Sequence, residues 1–375
     1  MTLYRHEIRG LGVYEAVEKL CPRDDPRRAR KPDGSWLPKS GPAFPGALSF
    51  WTEAGLRRYR ESGLEAWHAS LLGQPAVLLE VDEADLRVVA RDEWQVIARL
   101  APTPQASPVL ATGSTREIAE LRLDAHVLTL DPGEPAPLPA SENLDETFFY
   151  VLEGTPTAWV DGTPYALAPG WAGGVPLGSG RRLGLSNPTS HPVRLLVAGR
   201  RGKVATRANF ESPNSSLAAR SPLETKALTH GPSHLRTSPW CYNGSHEIFS
   251  RGARLSSALG LRAIGVWHEF LDPSYRSSWP HAHEREQEIA LVLRGHPTAW
   301  INGHRFELNP GDLAYFPPGT NLSHALMNRS DDVVEYLGLG ETELSAGKDR
   351  IYYPLQKARN EECRLGGYLW ENRPA

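Results

Sequence analysis

Two stretches of this chain, 141 residues apart, decide the fold. They read VLEGTPTAWVDG at residues 151–162 and VLRGHPTAWING at residues 292–303. The same shift aligns residues 151–199 with residues 292–340 without a gap, and 18 of the 49 positions are identical. Chance would give about 3 identities at average residue usage. The chain therefore contains two copies of one domain.

Both copies have the pattern of a β domain. The dipeptides Asp161-Gly162 and Asn302-Gly303 are typical of tight hairpin turns, and short apolar runs flank each of them. The turn signals Pro169-Gly170 and Pro310-Gly311 also correspond under the shift. The whole chain of 375 residues holds 34 Gly and 32 Pro, more than long helices tolerate. Many short strands between closely spaced turns predict a sandwich or a barrel.

Composition excludes several classes of protein. A net charge of −3 argues against binding nucleic acid by bulk electrostatics. No run of about 18 apolar residues is present, so we expect no membrane span. The three cysteines, Cys21, Cys241 and Cys363, lie far apart and indicate neither a disulfide framework nor a zinc knuckle. The N-terminus lacks the apolar core of a signal peptide, and a cytoplasmic location is the expectation.

The second copy carries a set of metal-binding residue types. His281 and His283 are two residues apart, so on a strand both imidazoles point to the same face. Glu288 follows after a length suited to a turn, and His324 arrives on a later strand. Three imidazoles and one carboxylate form a site that suits Fe(II), Mn(II), Ni(II), Cu(II) or Zn(II) and leaves one or two positions open.

The spacing of these residues resembles the two signature motifs of the cupin superfamily. The first is His281-x-His283-x4-Glu288-x6-Gly295, and the second runs from Gly311 through His324 to Asn328. The second has four residues between Gly319 and His324 where the common pattern has two. The resemblance covers residues 112–341 and implies a mainly β fold. Two tandem double-stranded β-helix (jelly-roll) cupin barrels would follow a mixed α/β N-terminal extension, with the metal inside a barrel.

The first copy departs from this pattern at every ligand position. The replacements for His281, His283, Glu288 and His324 are, in that order, Ala140, Glu142, Thr147 and Leu183. We therefore expect a metal-free first barrel. The expected domains are an α/β extension at 1–110, a degenerate cupin barrel at 111–200, a connecting segment at 201–250, a metal-binding cupin barrel at 251–341 and a tail that packs on the barrels at 342–375. Within the extension, residues 54–72 follow a helical stripe.

Further side chains near the motif are candidates for catalysis. His268 and Glu269 are neighbours on an apolar run, so only one of them can face into a barrel. That residue would act as an acid or base, and the alternative for each is an outward-facing or hydrogen-bonded polar residue without a catalytic role. Tyr315 would line the pocket or belong to the core. Arg276 would meet an anionic substrate or lie in a solvated loop.

The resemblance implies a metal-dependent enzyme that acts on a small molecule. Fe(II)-dependent oxygenase chemistry is the first prediction, and Mn(II), Ni(II) or Zn(II) are the alternative ions. The competing hypotheses are a metal-dependent isomerase, epimerase or lyase, and a non-catalytic bicupin that binds a small molecule. We expect no nucleic-acid or membrane partner, and either a monomer or a homodimer.

Overall fold

The computed structural model describes residues 1–30, 47–100, 110–111, 123–137, 146–200, 218–231, 238–242, 247–342 and 347–374. These form an N-terminal α/β unit, two barrels and a C-terminal segment. Within the described ranges no helix combines the length and the apolarity needed to cross a membrane.

The N-terminal unit is a six-stranded sheet with helices. Its strands are β1 (Thr2–Ile8), β2 (Leu11–Gly12), β3 (Leu48–Trp51), β4 (Val77–Asp82), β5 (Leu86–Arg91) and β6 (Gln95–Leu100). Its helices are Val13–Leu20, Glu53–Glu61 and Leu64–Leu72, and 3-10 turns lie at Pro26–Arg30 and Glu83–Asp85. The strand order is β2-β1-β3-β6-β5, with β4 also paired to β1. Residues 54–72, where the sequence follows a helical stripe, form two helices, because Gly63 adopts a positive φ of 74° and separates them.

The two barrels repeat the same strands with the shift of 141 residues. The first consists of β8 (Leu123–Leu130), β9 (Pro135–Pro137), β10 (Thr147–Glu153), β11 (Thr157–Val160), β12 (Thr163–Ala166), β13 (Trp171–Val175), β14 (Leu183–Ser186), β15 (Val193–Arg200), a 3-10 turn at Pro222–Glu224 and β16 (Leu228–His230). The second consists of β17 (Ser238–Pro239), β18 (Arg251–Arg254), the helix Leu255–Leu259, β19 (Ile264–Leu271), β20 (Ala282–His283), β21 (Glu288–Arg294), β22 (Thr298–Ile301), β23 (His304–Glu307), β24 (Leu313–Phe316), β25 (His324–Met327) and β26 (Val334–Glu341). The elements that remain are β7 (Leu110–Ala111), β27 (Ile351–Tyr352) and the helix Lys357–Leu365.

Each barrel is built from facing antiparallel sheets. The first has sheets of order β16-β13-β10-β15-β8 and β12-β11-β14-β9. The second has β17-β18-β19-β26-β21-β24-β7 and β23-β22-β25, and β20 pairs with β27. The predicted hairpins are confirmed, since Asp161-Gly162 and Asn302-Gly303 all have positive φ, as a type I′ turn requires.

The two barrels share a core, and each supplies a side chain that accepts backbone hydrogen bonds at the start of the other's first long strand. Apolar side chains from both repeats, including Phe148 and Ile289, form one buried cluster. Glu146 of the first repeat is fully buried and accepts hydrogen bonds from the amides of Ala263 and Ile264, at 2.6 and 3.0 Å, where β19 begins. Its counterpart Gln287 accepts one from the Leu123 amide, at 3.2 Å, where β8 begins. The barrels are therefore joined reciprocally.

The interior of the first barrel is filled with apolar side chains. Leu183, at the position of His324, and Leu185 are buried in the same cluster as Phe149 and Val175. Thr147, at the position of Glu288, is buried. The described residues at these positions offer no imidazole or carboxylate, while Ala140 and Glu142 lie outside the described residues.

A buried asparagine closes the same turn in each barrel. Asn328 donates from Nδ2 to the carbonyls of Leu271 (2.8 Å) and Asp332 (2.6 Å), and Oδ1 accepts from the Ser330 amide. Asn187 makes the matching bonds in the first barrel.

Replacement of either asparagine by alanine should destabilise its barrel. We expect Asn328→Ala and Asn187→Ala each to cost about 3 kcal/mol, because several buried backbone groups lose their partners. Differential scanning calorimetry measures the effect as a lower unfolding temperature. The exposed Asn309→Ala is the control and should change stability by less than about 0.5 kcal/mol. Equal effects of Asn328→Ala and Asn309→Ala would contradict this prediction.

Candidate metal centre

The candidate metal centre begins with two histidines on adjacent chain segments. His281 and His324 exchange backbone hydrogen bonds, with N–O distances of 3.3 and 3.0 Å. His283 lies at the end of β20, and Glu288 is the first residue of β21. The antiparallel pairings thus bring together four side chains that are up to 43 positions apart in sequence.

All three imidazoles direct Nε2 to one carboxylate oxygen. The distances from Oε2 of Glu288 are 2.6 Å to His324, 3.5 Å to His281 and 3.5 Å to His283. The phenyl ring of Phe316 stacks on His324, with ring centroids 3.7 Å apart. The four residues expected from the sequence therefore form one cluster.

The other nitrogen of each imidazole is held by an acceptor on the opposite side. Nδ1 of His281 lies 2.8 Å from the carbonyl oxygen of Trp279, and Nδ1 of His324 lies 3.1 Å from that of Leu322. Nδ1 of His283 lies 2.6 Å from Oδ2 of Asp349. An acceptor at Nδ1 favours the proton there and leaves the Nε2 lone pair directed into the cluster, as in metal-bound histidines.

Asp349 is a residue of the candidate site that sequence reasoning missed. It lies two residues before β27, which pairs with β20, and its Oδ1 accepts hydrogen bonds from the Arg285 and Glu286 amides. The need for an Nδ1 acceptor is predictable from the chemistry of histidine ligands. Nothing in the sequence identifies a carboxylate 66 residues away as that acceptor.

The charged side chains of the cluster shift one another's pKa values. Burial opposes ionisation of Glu288, but the facing imidazoles, His283 foremost, hold its pKa well below the ordinary value. Burial alone would lower the pKa of His283, but Glu288 and Asp349 raise it to about 9. Burial lowers the pKa of His324. A cation at Nε2 of His283 would compete with the proton that this raised pKa retains.

These residues fit a divalent transition-metal ion. The ligand atoms of His281, Glu288 and His324 lie within 4.8 Å of one another. Nε2 of His283 is buried and makes no hydrogen bond to any of the described residues, although Oε2 of Glu288 lies 3.5 Å from it. Imidazole and carboxylate donors suit Fe(II), Mn(II), Ni(II) or Zn(II).

A cavity of about 840 Å³ adjoins the cluster inside the second barrel. His281, Glu288 and His324 line it, and much of the remaining wall is apolar or aromatic. Glu269 also faces this cavity, and its Oε2 accepts a hydrogen bond of 3.5 Å from the hydroxyl of Tyr336. Burial raises the pKa of Glu269, so the carboxyl binds a proton more readily than a solvated glutamate does.

The other two catalytic candidates lie elsewhere. His268 points away from the cavity, and its Nε2 lies 2.7 Å from Oε1 of Glu335. Tyr315 belongs to the apolar cluster between the barrels. On β19 and β24 successive side chains alternate between the two faces, which places Glu269 and Phe316 inside while His268 and Tyr315 face out. His268 and Tyr315 therefore do not line the cavity beside the metal cluster, as catalytic groups in this barrel would.

Arg276 is neither a substrate contact at the cavity nor a solvated loop residue. It is only 3% exposed and forms ion pairs with Glu7 and Glu247. The sequence interpretation of Arg276 is wrong because its partners come from distant parts of the chain.

Comparison with known protein families matches the Cupin domain family at residues 126–199 and again at residues 267–339. Each match lies within one of the two barrels. A search of curated protein sequences found no significant match to the chain.

Several solved structures are similar to parts of this chain. A salicylate 1,2-dioxygenase from Pseudaminobacter salicylatoxidans is 13% identical, with 63% of this chain and 76% of that chain covered and a TM-score of 0.44. A variant of the oxalate decarboxylase of Bacillus subtilis is 14% identical, with 59% and 69% covered and a TM-score of 0.39. A cupin sugar phosphate isomerase from Silicibacter pomeroyi is 30% identical, with 28% and 64% covered and a TM-score of 0.26. The chain thus spans less than two thirds of the isomerase, and similarity at these levels assigns no reaction.

Proposed function

This chain is a member of the cupin superfamily with two tandem cupin domains, and on that premise we propose that it is a metal-dependent enzyme acting on a small molecule in its second barrel. The observation that carries the proposal is the convergence of three imidazole Nε2 atoms on Oε2 of Glu288 beside a cavity. This arrangement differs from that of solvated polar residues, because it brings potential metal-donor atoms together and because an acceptor at Nδ1 orients each imidazole.

We propose Fe(II) as the ion and oxidation of the substrate by O₂ as the reaction. A bound Fe(II) would supply electrons and open positions for substrate and O₂. The residues of the chain supply the setting for this chemistry. Glu288 offsets the charge of the cation, while the apolar wall with Phe316 and Leu326 excludes bulk water from the space beside it.

A second candidate is a metal-dependent isomerase, epimerase or lyase. The observation in its favour is Glu269, a buried carboxyl with a raised pKa in the same cavity as the metal cluster. Such a group can accept a proton from a substrate carbon or return one, which isomerisation requires. In this reaction the ion would act as a Lewis acid.

Elemental analysis and oxygen consumption separate the two candidates. We expect about one metal ion per chain after purification without chelators, because one barrel has the donor set. Iron, with O₂ uptake on addition of members of a small-molecule panel, would support the oxygenase. Zinc or manganese, with substrate conversion and no O₂ uptake, would favour the second candidate. A protein that binds no divalent ion, even after reconstitution, would contradict both.

A further inference from the structure

A buried ion-pair network joins the N-terminal unit to the second barrel. Nη1 of Arg276 donates to Oε2 of Glu7 at 2.8 Å, and Glu7 lies on β1. Nε and Nη2 of the same guanidinium donate to the two oxygens of Glu247, at 2.8 and 2.9 Å. The three side chains are only 3%, 4% and 6% exposed. Charges buried this deeply are stable only while all of their partners stay in place.

The network continues from Glu247 to a metal ligand. The indole Nε1 of Trp279 donates to Oε2 of Glu247 at 2.9 Å, and the indole stacks on Tyr242 with ring centroids 4.2 Å apart. The carbonyl of Trp279 is the acceptor for Nδ1 of His281. Residue 279 is thus fixed through its side chain and orients the imidazole of His281 through its backbone.

The turn between β1 and β2 lies directly against this arginine. A Cβ atom on Gly10 would approach Cδ of Arg276 to 2.7 Å, so the close contact requires glycine, and Gly10 also has a positive φ of 76°. Next to it, the guanidinium of Arg9 lies 4.8 Å from the ring centroid of Tyr275. The N-terminal unit therefore contacts the segment that leads into the metal centre at successive residues.

We propose that Glu7 is a positioning residue of the metal centre, which acts through Arg276, Glu247 and Trp279 on the orientation of His281. This inference rests on the proposed metal site, and it gives residues 1–100 a role in a reaction that takes place in another part of the chain. Without Glu7, Arg276 would retain one buried partner instead of two. The loop at residues 275–281 would then lose the contact that fixes it to the N-terminal sheet.

The test measures Co²⁺ affinity and the visible spectrum of bound Co²⁺, with the full-length chain and the metal alone as the probe. We expect Glu7→Gln and Trp279→Phe each to raise the Kd for Co²⁺ by about 10-fold, as loss of outer-sphere support does at other metal sites. Trp279→Phe removes the indole donor and keeps an aromatic ring over Tyr242. Since both changes interrupt one chain of contacts, the Kd of the double variant for Co²⁺ should not exceed the larger of the two single-variant Kd values. Each variant should also change the shape of the Co²⁺ absorption band.

Glu15→Gln is the matched control. Glu15 also joins the N-terminal unit to the second barrel, through ion pairs with Arg305 and Arg329, but it has no bond to the network. We expect the Kd of Glu15→Gln for Co²⁺ to stay within about 2-fold of that of the unsubstituted chain, because a partly exposed ion pair contributes little to the stability of the contact. If Glu7→Gln does not fold, Glu247→Gln replaces it in the double-variant comparison.

The outcomes separate this inference from the proposed function. A chain that binds no Co²⁺ in unsubstituted form would contradict the metal site itself. Where the unsubstituted chain binds Co²⁺, either of two results overturns the positioning role. One is a Glu7→Gln variant with the Kd and spectrum of the unsubstituted chain, and the other is a double variant in which the effects of Glu7→Gln and Trp279→Phe multiply to about 100-fold.

Discussion

Alanine at both His281 and His283 should reduce bound metal from about one ion per chain to less than about a tenth of that. Both imidazoles direct Nε2 to Oε2 of Glu288, so the double variant removes two of the four donor groups. Loss of outer-sphere support alone costs about 10–100-fold in affinity at metal sites, and loss of direct ligands should cost more. Equilibrium dialysis followed by elemental analysis measures the stoichiometry.

His268→Gln is the control for this experiment. His268 is buried in the same barrel and is bonded to a carboxylate, but it faces away from the cavity. We expect it to retain metal in full. Full metal content in the His281→Ala, His283→Ala double variant would show that the cluster is not the binding site.

Asp349→Asn should weaken metal binding by about 10–100-fold although no direct ligand is changed. An asparagine can still accept the Arg285 amide bond through Oδ1, but it then presents an NH₂ group to Nδ1 of His283. The imidazole must accept that bond at Nδ1, which moves its proton to Nε2, the atom that would bind the ion. Isothermal titration with Co²⁺ or Zn²⁺ gives the affinity.

Asp312→Asn serves as the comparison for the aspartate. Asp312 also accepts a backbone amide bond, from Asn309 at 2.7 Å, and has no bond to a histidine. The Asp312→Asn variant should bind metal with the affinity of the unsubstituted chain. An Asp349→Asn variant with the affinity of the unsubstituted chain would exclude a role for Asp349 in orienting His283.

The repeat made most of the fold predictable. Glycines with positive φ keep their places in both copies, as Gly162 and Gly303 do, because residues with a Cβ atom rarely adopt that backbone conformation. The same spacing arguments brought His281, His283, Glu288 and His324 together. They depend on local rules, namely the period of a strand and the length of a turn.

Contacts between distant segments were not predictable. The sequence showed that only one of His268 and Glu269 faces inward, but not which one, since a shift of one residue in strand register reverses the answer. In the sequence Arg276 is typical of a solvated loop, but in the structure it is buried in ion pairs with Glu7 on β1 and with Glu247. Asp349 belongs to a segment that the repeat does not include.

The reciprocal hydrogen bonds of Glu146 and Gln287 limit which parts of the chain evolution can remove. Each copy supplies the acceptor for the first long strand of the other. Deleting the copy that lacks the four candidate metal ligands would remove the carboxylate that accepts from the amides of Ala263 and Ile264, and would expose apolar side chains such as Ile289 to solvent. Mutations that erase ligands inside one copy leave this contact intact. A duplicated chain of this kind can therefore lose the candidate metal ligands of one copy and still depend on that copy for its stability.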